Sequence, residues 1–156
     1  MSVRDFIEEN YRHFNAGALA QCVESLRGFL NNDGRLMVTL AGAMSTAEIG
    51  RSLAPAIRAQ RVHAICCTGA NLEEDLFNLV ARSSYEKIAD WRELTASEVA
   101  LRERGMNRVT DVAIPEEEAI RTIEKPLMSL WEDAEAADDR RFPHEYLYDL
   151  LLHGEL

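Results

Sequence analysis

Apolar residues recur along the chain with helical spacing in some segments and as short continuous runs in others. One apolar face recurs over 5–14 and another over 18–30, which predicts two helices with a break at 15–17. The runs 35–40 and 62–67 are short and mostly apolar, as is typical of strands covered on both faces. The pattern therefore predicts two N-terminal helices followed by buried strands.

Polar residues mark where the later elements begin and end. Ser45 with Glu48 has the spacing of a capping box, and Asn71 with Glu74 repeats it, so a helix is predicted to start at each place. Pro55 should kink or split the first of these helices. The other predicted elements are a short helix capped by Thr95–Glu98 and ending at Gly105, a third strand over 108–114, a long helix from Pro115 to Trp131, a charged link over 132–141 and a last helix over 142–152.

This order of elements favours one fold class. Strands that alternate with helices indicate an α/β fold with a parallel sheet flanked by helices. The two helices that precede the first strand are then an N-terminal helical extension. We therefore expect residues 1–34 to form that extension and residues 35–156 to form the α/β part of the chain.

Charge and cysteine content narrow the function classes. The chain has 17 basic and 27 acidic residues, a net charge of −10, which argues against nucleic acid as a partner. Such a charge suits a cationic small molecule, although a solvated acidic surface is the commoner explanation. No apolar run is long enough to cross a bilayer, and no secretory signal or metal-ligand spacing is evident. Cys22, Cys66 and Cys67 are expected to be reduced, buried thiols of a cytoplasmic protein.

Two small-residue turns follow the first two predicted strands. The turn over 42–46 has the sequence Gly-Ala-Met-Ser-Thr, and the turn over 68–70 has the sequence Thr-Gly-Ala. Backbone N–H groups at such turns, together with the dipole of the following helix, favour phosphate. Two of them on successive strands would form one crevice for a dinucleotide. Neither is a GxGxxG fingerprint, so on pattern alone two ordinary tight turns are the commoner explanation.

An acidic pair follows the second turn. Glu73 and Glu74 are predicted in the first turn of a helix, where simple stabilisation of the helix dipole is the commoner role. The alternative is that one or both bind ammonium groups through charge-assisted hydrogen bonds. Asp75 is expected to face water.

Three segments of the chain, considered together, resemble one known family. They are residues 42–50, residues 68–76 (Thr-Gly-Ala-Asn-Leu-Glu-Glu-Asp-Leu), and residues 101–109 (Leu-Arg-Glu-Arg-Gly-Met-Asn-Arg-Val) followed by Ile114-Pro115. In sequence and in spacing these segments resemble the deoxyhypusine synthase family, in particular its bacterial deoxyhypusine synthase-like members. The resemblance extends over nearly all of the chain.

The resemblance implies a fold, a reaction and a set of site residues. It implies a Rossmann-like fold that binds NAD, a homotetramer with active sites between subunits, and transfer of an aminobutyl group from spermidine to an amine through an imine. Residues 35–156 would be the N-terminal part of the NAD-binding domain. Glu73 and Glu74 would lie at the polyamine. The residues expected to contact NAD are Gly42, Ala43, Met44, Ser45, Thr46, Thr68, Gly69, Ala70 and Glu74.

The chain departs from the family pattern in two respects. Family members are longer, and their second half carries the catalytic lysine in a glycine-lysine motif that neither Lys87 nor Lys125 matches. No catalytic residue is therefore expected in this chain, which would be an N-terminal half or a non-catalytic subunit needing a partner chain that supplies the lysine. Gly42 and Ala43 replace the serine-asparagine pair of the eukaryotic enzymes, so the acceptor would be a protein lysine or a free polyamine, as in homospermidine synthesis.

Overall fold

The computed structural model describes residues 1–93, 97–153 and 156. The helices are α1 (Val3–Asn10), α2 (Phe14–Asn31), α3 (Gly50–Arg58), α4 (Gly69–Ala81), α5 (Ser97–Glu103), α6 (Thr122–Ala136) and α7 (Pro143–Leu152). The strands are β1 (Met37–Leu40), β2 (Ala64–Cys67), β3 (Glu86–Lys87), β4 (Met106–Val109) and β5 (Val112–Pro115). A short 3-10 helix (Arg82–Ser84) follows α4, and a π-helical segment (Glu116–Arg121) precedes α6. In the part of the chain that the structure describes, no helix combines the length and apolarity needed to cross a membrane.

The chain forms two compact units, one of residues 1–38 with 53–66 and one of residues 39–52 with 67–156. In the first unit the predicted break at 15–17 is wrong, because these residues belong to α2. Gly17 is buried there, and a Cβ at this position would lie 2.9 Å from the carbonyl oxygen of Arg12. Glycine at position 17 thus permits a close backbone approach at the start of a helix.

Strands β1 and β2 pair in a two-stranded parallel sheet. The N–H of His63 donates to the carbonyl of Leu36 at 2.9 Å, and that of Thr68 donates to the carbonyl of Leu40 at 3.2 Å, so both strands advance in the same direction. The α/β class, with helices before the first strand, is confirmed. The prediction that both strand faces are covered is wrong, because β2 is mostly exposed and β1 alternates between exposed and half-buried residues. An apolar run shows that a strand is suited to burial. It does not show whether the residues that cover the strand belong to the same chain.

The segment predicted as a third strand is instead a hairpin. Strands β4 and β5 pair antiparallel, with Met106 opposite Pro115 and Val109 opposite Val112, and β3 pairs with the other edge of β5. Thr110 has a φ of 57°, a left-handed conformation that suits a two-residue hairpin turn. The polar interruption at 110–111 therefore reverses the chain.

The apolar core of the second unit lies among helices α4, α6 and α7. Leu76, Ile123 and Leu150 are buried against one another, and a second cluster joins Ala81 to Ile114 and the π-helical segment. The predicted last helix is confirmed as α7, whereas α6 continues to Ala136 into the predicted charged link. This packing fixes α4, the helix that carries the acidic pair.

Two predicted caps are wrong, and a third lies partly outside the described residues. Helix α3 begins at Gly50, because Glu48 adopts a left-handed φ of 60° that ends the turn before it, and the helix continues through Pro55 to Arg58. Helix α4 begins at Gly69, with Thr68 and not Asn71 as its N-cap residue. Thr95 and Ala96 lie outside the described residues.

The cysteines do not lie where they were predicted. Cys22 and Cys66 are exposed, and Cys67 is half-buried. The expectation of buried thiols is therefore wrong for Cys22 and Cys66. In β2 the reason is the exposure of the strand itself, whose apolar sequence had suggested burial.

Candidate functional site

The two small-residue turns meet in the second unit. We call residues 42–46 turn one and residues 68–70 turn two. The hydroxyl of Thr68 donates to the carbonyl of Gly42 at 3.0 Å, which joins the turns directly. The structure thus brings together the two segments that the sequence pattern placed at neighbouring strand ends.

Asn71, which the sequence analysis considered only as a helix cap, lies between the turns and is 3% exposed. Its amide nitrogen donates to the carbonyl of Gly42 at 2.9 Å and to the hydroxyl of Thr68 at 2.7 Å. Its amide oxygen accepts the N–H groups of Met44 at 3.0 Å and Ser45 at 3.2 Å. The sequence signal that could have indicated this role is an amide side chain directly after a small-residue turn.

The acidic pair is divided between the interior and the surface. Glu74 is 6% exposed, and its Oε2 accepts the N–H of Thr46 at 3.1 Å, whereas Glu73 is exposed. Both lie beyond the first turn of α4, contrary to prediction, because the helix starts earlier than the cap spacing indicated. Asp75 is exposed as a residue, as expected, but its carboxyl also forms a hydrogen bond with the Ser45 side chain, and partial burial raises the pKa of that carboxyl.

Turn one is held by one face of α4. Asn71 and Glu74 bind three successive N–H groups of the turn, and the amide nitrogen of Asn78 donates to the carbonyl of Ser45 at 2.9 Å. The hydroxyl of Ser45 in turn donates to the carbonyl of Asn71 at 2.6 Å. We call Asn71, Glu74 and Asn78 the polar face of α4. The N–H groups of Met44, Ser45 and Thr46 are therefore engaged within the protein and are not offered to a phosphate.

Turn two differs within itself: the N–H of Thr68 donates to the carbonyl of Leu40, whereas the N–H groups of Gly69 and Ala70 lie at the start of α4. The first N–H groups of an α-helix have no intrahelical acceptor, so those of Gly69 and Ala70 point out of the start of α4 with the positive end of its dipole. Gly42 has a φ of 63°, and a Cβ built at Gly42 or at Gly69 would meet no atom of the described residues within 4 Å. Open space therefore lies in front of both turns, and the residues present fit an approaching dinucleotide phosphate.

A cavity of about 460 Å³ lies beside turn one. Its lining residues are Thr46, Ala47, Glu48, Arg82, Tyr85, Glu86, Lys87, Asp111 and Val112. Arg82 donates to Glu48 at 2.7 Å, and this contact lowers the pKa of the Glu48 carboxyl. Burial, together with the charge of Glu74, raises the pKa of Tyr85 to about 12. The hydroxyls of Thr46 and Tyr85 are buried without a hydrogen-bond partner among the described residues.

The comparisons with known proteins agree with the three sequence motifs. The family model of deoxyhypusine synthase matches residues 7–151. The chain belongs to the deoxyhypusine synthase family. The resemblance inferred from the motifs is thereby confirmed.

Curated relatives in the deoxyhypusine synthase family extend the comparison. Two proteins named "Probable deoxyhypusine synthase", from two strains of Halobacterium salinarum, are each 26% identical to this chain over 137 residues. The aligned part is 88% of this chain and 39% of each relative. The chain thus spans well under half the length of the curated relatives it matches.

The two lysines of this deoxyhypusine synthase family member lie on different elements. Lys87 is an exposed residue of β3 and lines the cavity beside turn one. Lys125 is an exposed residue of α6. The structure thus places Lys87, and not Lys125, on the lining of the cavity that borders the candidate site.

Proposed function

We propose that this chain forms the dinucleotide-binding and polyamine-binding part of an NAD-dependent aminobutyl transferase of the deoxyhypusine synthase type. The observation that carries the proposal is the junction of the two turns by Thr68 and Asn71, with open space in front of Gly42 and Gly69. Family membership supplies the reaction class. The substrate is spermidine or a related polyamine.

The residues of this chain would divide the binding tasks. The N–H groups at the start of α4 would bind a phosphate of NAD, and Gly42 and Ala43 would allow its close approach. NAD, when bound, supplies the hydride acceptor for oxidation of the polyamine. Glu73, which is exposed, would bind a polyamine ammonium group. The side chain of Glu74, which accepts the N–H of Thr46, would add a second negative charge near that group.

Transfer of the aminobutyl group needs an amine that can become uncharged and form an imine. In our proposal a lysine outside the 156 residues supplies it, in a continuing chain or in a partner chain, within a homotetramer or a mixed assembly. The acceptor is then a protein lysine or a free polyamine. The alternative proposal is that this chain is a non-catalytic subunit of the same fold, and the chain's 39% coverage of its relatives supports either arrangement.

Titration calorimetry with NAD and with spermidine tests the binding role. We expect the wild-type protein to bind both, and Glu73→Gln combined with Glu74→Gln to weaken spermidine by about ten-fold while NAD is less affected. The matched control is Glu132→Gln with Glu135→Gln, which removes two exposed charges from α6. Equal spermidine affinity in wild type and the Glu73/Glu74 variant, with the fold retained, would contradict the polyamine assignment.

Turnover distinguishes the two proposals. Release of 1,3-diaminopropane from spermidine in the presence of NAD, which accompanies transfer of the aminobutyl group, is expected only when the lysine-bearing segment is present. Activity that appears on mixing with a lysine-bearing partner chain supports a transferase whose two parts are separate polypeptides. The non-catalytic subunit is supported by a different result. In that case this chain binds NAD within the assembled complex, but substitutions in its two turns leave the rate of turnover unchanged.

A further inference from the structure

The side chain of Asn71 uses its whole hydrogen-bonding capacity on the two turns. Its amide oxygen accepts from Met44 and Ser45, and its amide nitrogen donates to Gly42 and Thr68. A primary amide offers two donors and an oxygen with two lone pairs, so these four bonds leave no group unused. Asn71 therefore connects the turns completely, whereas Thr68 adds a single bond to Gly42.

Other side chains cannot reproduce this set of bonds at position 71. An ionised aspartate accepts but does not donate, and alanine does neither. Because Asn71 is 3% exposed, water has little access to replace a lost bond. The side chain at this position thus holds the Gly42 carbonyl at the start of α4 together with the hydroxyl of Thr68.

We propose that Asn71 is a positioning residue for dinucleotide binding, which holds Gly42 and Thr68 at the spacing where both turns contact one NAD molecule. The inference rests on the proposed function. Asn71 acts through the turns and does not itself touch the cofactor, because its side chain is buried and fully bonded. Gly42 faces open space, so a rotation of its carbonyl changes the surface that NAD meets.

The first experiment compares Asn71→Ala with Asn78→Ala. Both asparagines lie on the polar face of α4 and bind the backbone of turn one, but among the described residues Asn78 donates to the Ser45 carbonyl and makes no hydrogen bond to Gly42 or Thr68. We expect Asn71→Ala to weaken NAD binding by about ten-fold or more, and Asn78→Ala to change it by about two-fold at most, in calorimetric titrations. Melting temperatures recorded alongside report the loss of fold stability in each.

A second variant serves if Asn71→Ala does not fold. Asn71→Asp keeps the shape and the acceptor oxygens but loses both donors at neutral pH. Burial favours the protonated carboxyl, which regains one donor as the pH falls. We therefore expect NAD affinity of Asn71→Asp to recover toward the wild-type value between about pH 7 and pH 5, while the wild type shows a smaller change over the same range.

The outcomes separate this inference from the proposed function. If the wild-type protein binds no NAD, the proposed function fails. If the wild type binds NAD and the folded Asn71→Ala and Asn71→Asp variants bind it equally well, the positioning role is overturned. The same conclusion follows if NAD affinity in Asn71→Ala and Asn78→Ala falls only in proportion to melting temperature.

Discussion

The backbone N–H of Thr46 donates to Oε2 of Glu74 at 3.1 Å, and both residues are more than nine-tenths buried. Thr46 belongs to a turn whose sequence suggests that it binds an external anion such as phosphate. Its N–H is instead bound by the side chain of Glu74 in the neighbouring helix α4. A buried donor that loses its acceptor costs more than an average hydrogen bond contributes. Glu74 therefore stabilises turn one in addition to any role toward a substrate.

The first prediction concerns the stability that Glu74 provides. Glu74→Ala should lower the free energy of unfolding by about 1–3 kcal/mol, because the Thr46 N–H is left buried without an acceptor. Glu74→Gln keeps a side-chain oxygen that can accept this N–H, so it should cost less than the alanine variant. Urea denaturation followed by circular dichroism measures both changes.

Glu73→Ala is the matched control for this prediction. Glu73 is the adjacent carboxylate of the same helix but is exposed, so its removal should change the unfolding free energy by about 0.5 kcal/mol at most. A loss in Glu73→Ala as large as that in Glu74→Ala would show that the Thr46 contact is not the cause.

The second prediction concerns the pH dependence that Tyr85 introduces. Burial and the charge of Glu74 raise its pKa from 10.0 to about 12, so the folded protein keeps a proton that the unfolded chain has lost between these values. Fewer protons bound in the unfolded state mean that stability falls as the pH rises. Titration of Tyr85 thus leaves the stability unchanged below about pH 10 and lowers it progressively between about pH 10 and pH 12.

Tyr85→Phe tests this assignment. Phenylalanine removes the titrating group, so the alkaline loss of stability should be smaller than in the wild type. Near neutral pH the substitution should be close to neutral or slightly stabilising, since the Tyr85 hydroxyl is buried without a partner among the described residues. Thermal melts from pH 8 to pH 11 give both results, and a large loss at neutral pH would indicate a bond to the hydroxyl.

The sequence predicted those parts of the fold that local spacing determines. The parallel pairing of β1 with β2, the small-residue turns after them and the last helix follow from apolar runs and turn residues. The hairpin at Thr110 was mistaken for one interrupted strand, because an apolar run on each side of a polar pair is compatible with a straight strand or a reversed one. In the structure Thr110 has a left-handed φ of 57°, which reverses the chain. The sequence gives no sign of this conformation, because no glycine stands at this position.

The sequence predicted the two turns of the candidate site but not the role of Asn71, the residue that joins them. Asn71 has the spacing of a helix cap, and cap spacing describes bonds to residues two or three positions away. The bonds that Asn71 makes to turn one reach residues 26–29 positions earlier in the chain. Such contacts depend on how two turns meet in space, which the sequence of either turn does not determine.

The third prediction concerns the left-handed backbone at Glu48. A residue with a Cβ is strained at its φ of 60°, and glycine is not. Glu48→Gly should therefore be more stable than Glu48→Ala by about 1–2 kcal/mol, although both lose the pair with Arg82. Thermal unfolding of the two variants measures the difference.

One further variant distinguishes the effect of losing the Glu48–Arg82 ion pair from the effect of backbone strain at residue 48. Arg82→Gln removes the partner and leaves the backbone of residue 48 unchanged, and the loss of this partly exposed ion pair, together with the contact of Arg82 with the Tyr85 ring, should change the stability only slightly. If Glu48→Gly and Glu48→Ala are equally stable, the left-handed conformation at residue 48 carries no strain and the prediction fails.

The fourth prediction compares two glycines that have equal space around them. A Cβ at Gly105 or at Gly28 would meet no atom within 4 Å in the part of the chain that the structure describes, so neither alanine variant creates a clash there. Gly105 has a φ of 69° after the end of α5, and alanine there should destabilise the protein by about 1–2 kcal/mol. Gly28 lies inside α2, where alanine should stabilise by up to about 1 kcal/mol. Urea denaturation measures the change in unfolding free energy for each alanine variant. Because neither Cβ meets a neighbour, changes of opposite sign would identify backbone conformation as the cause, and changes of the same sign would refute it.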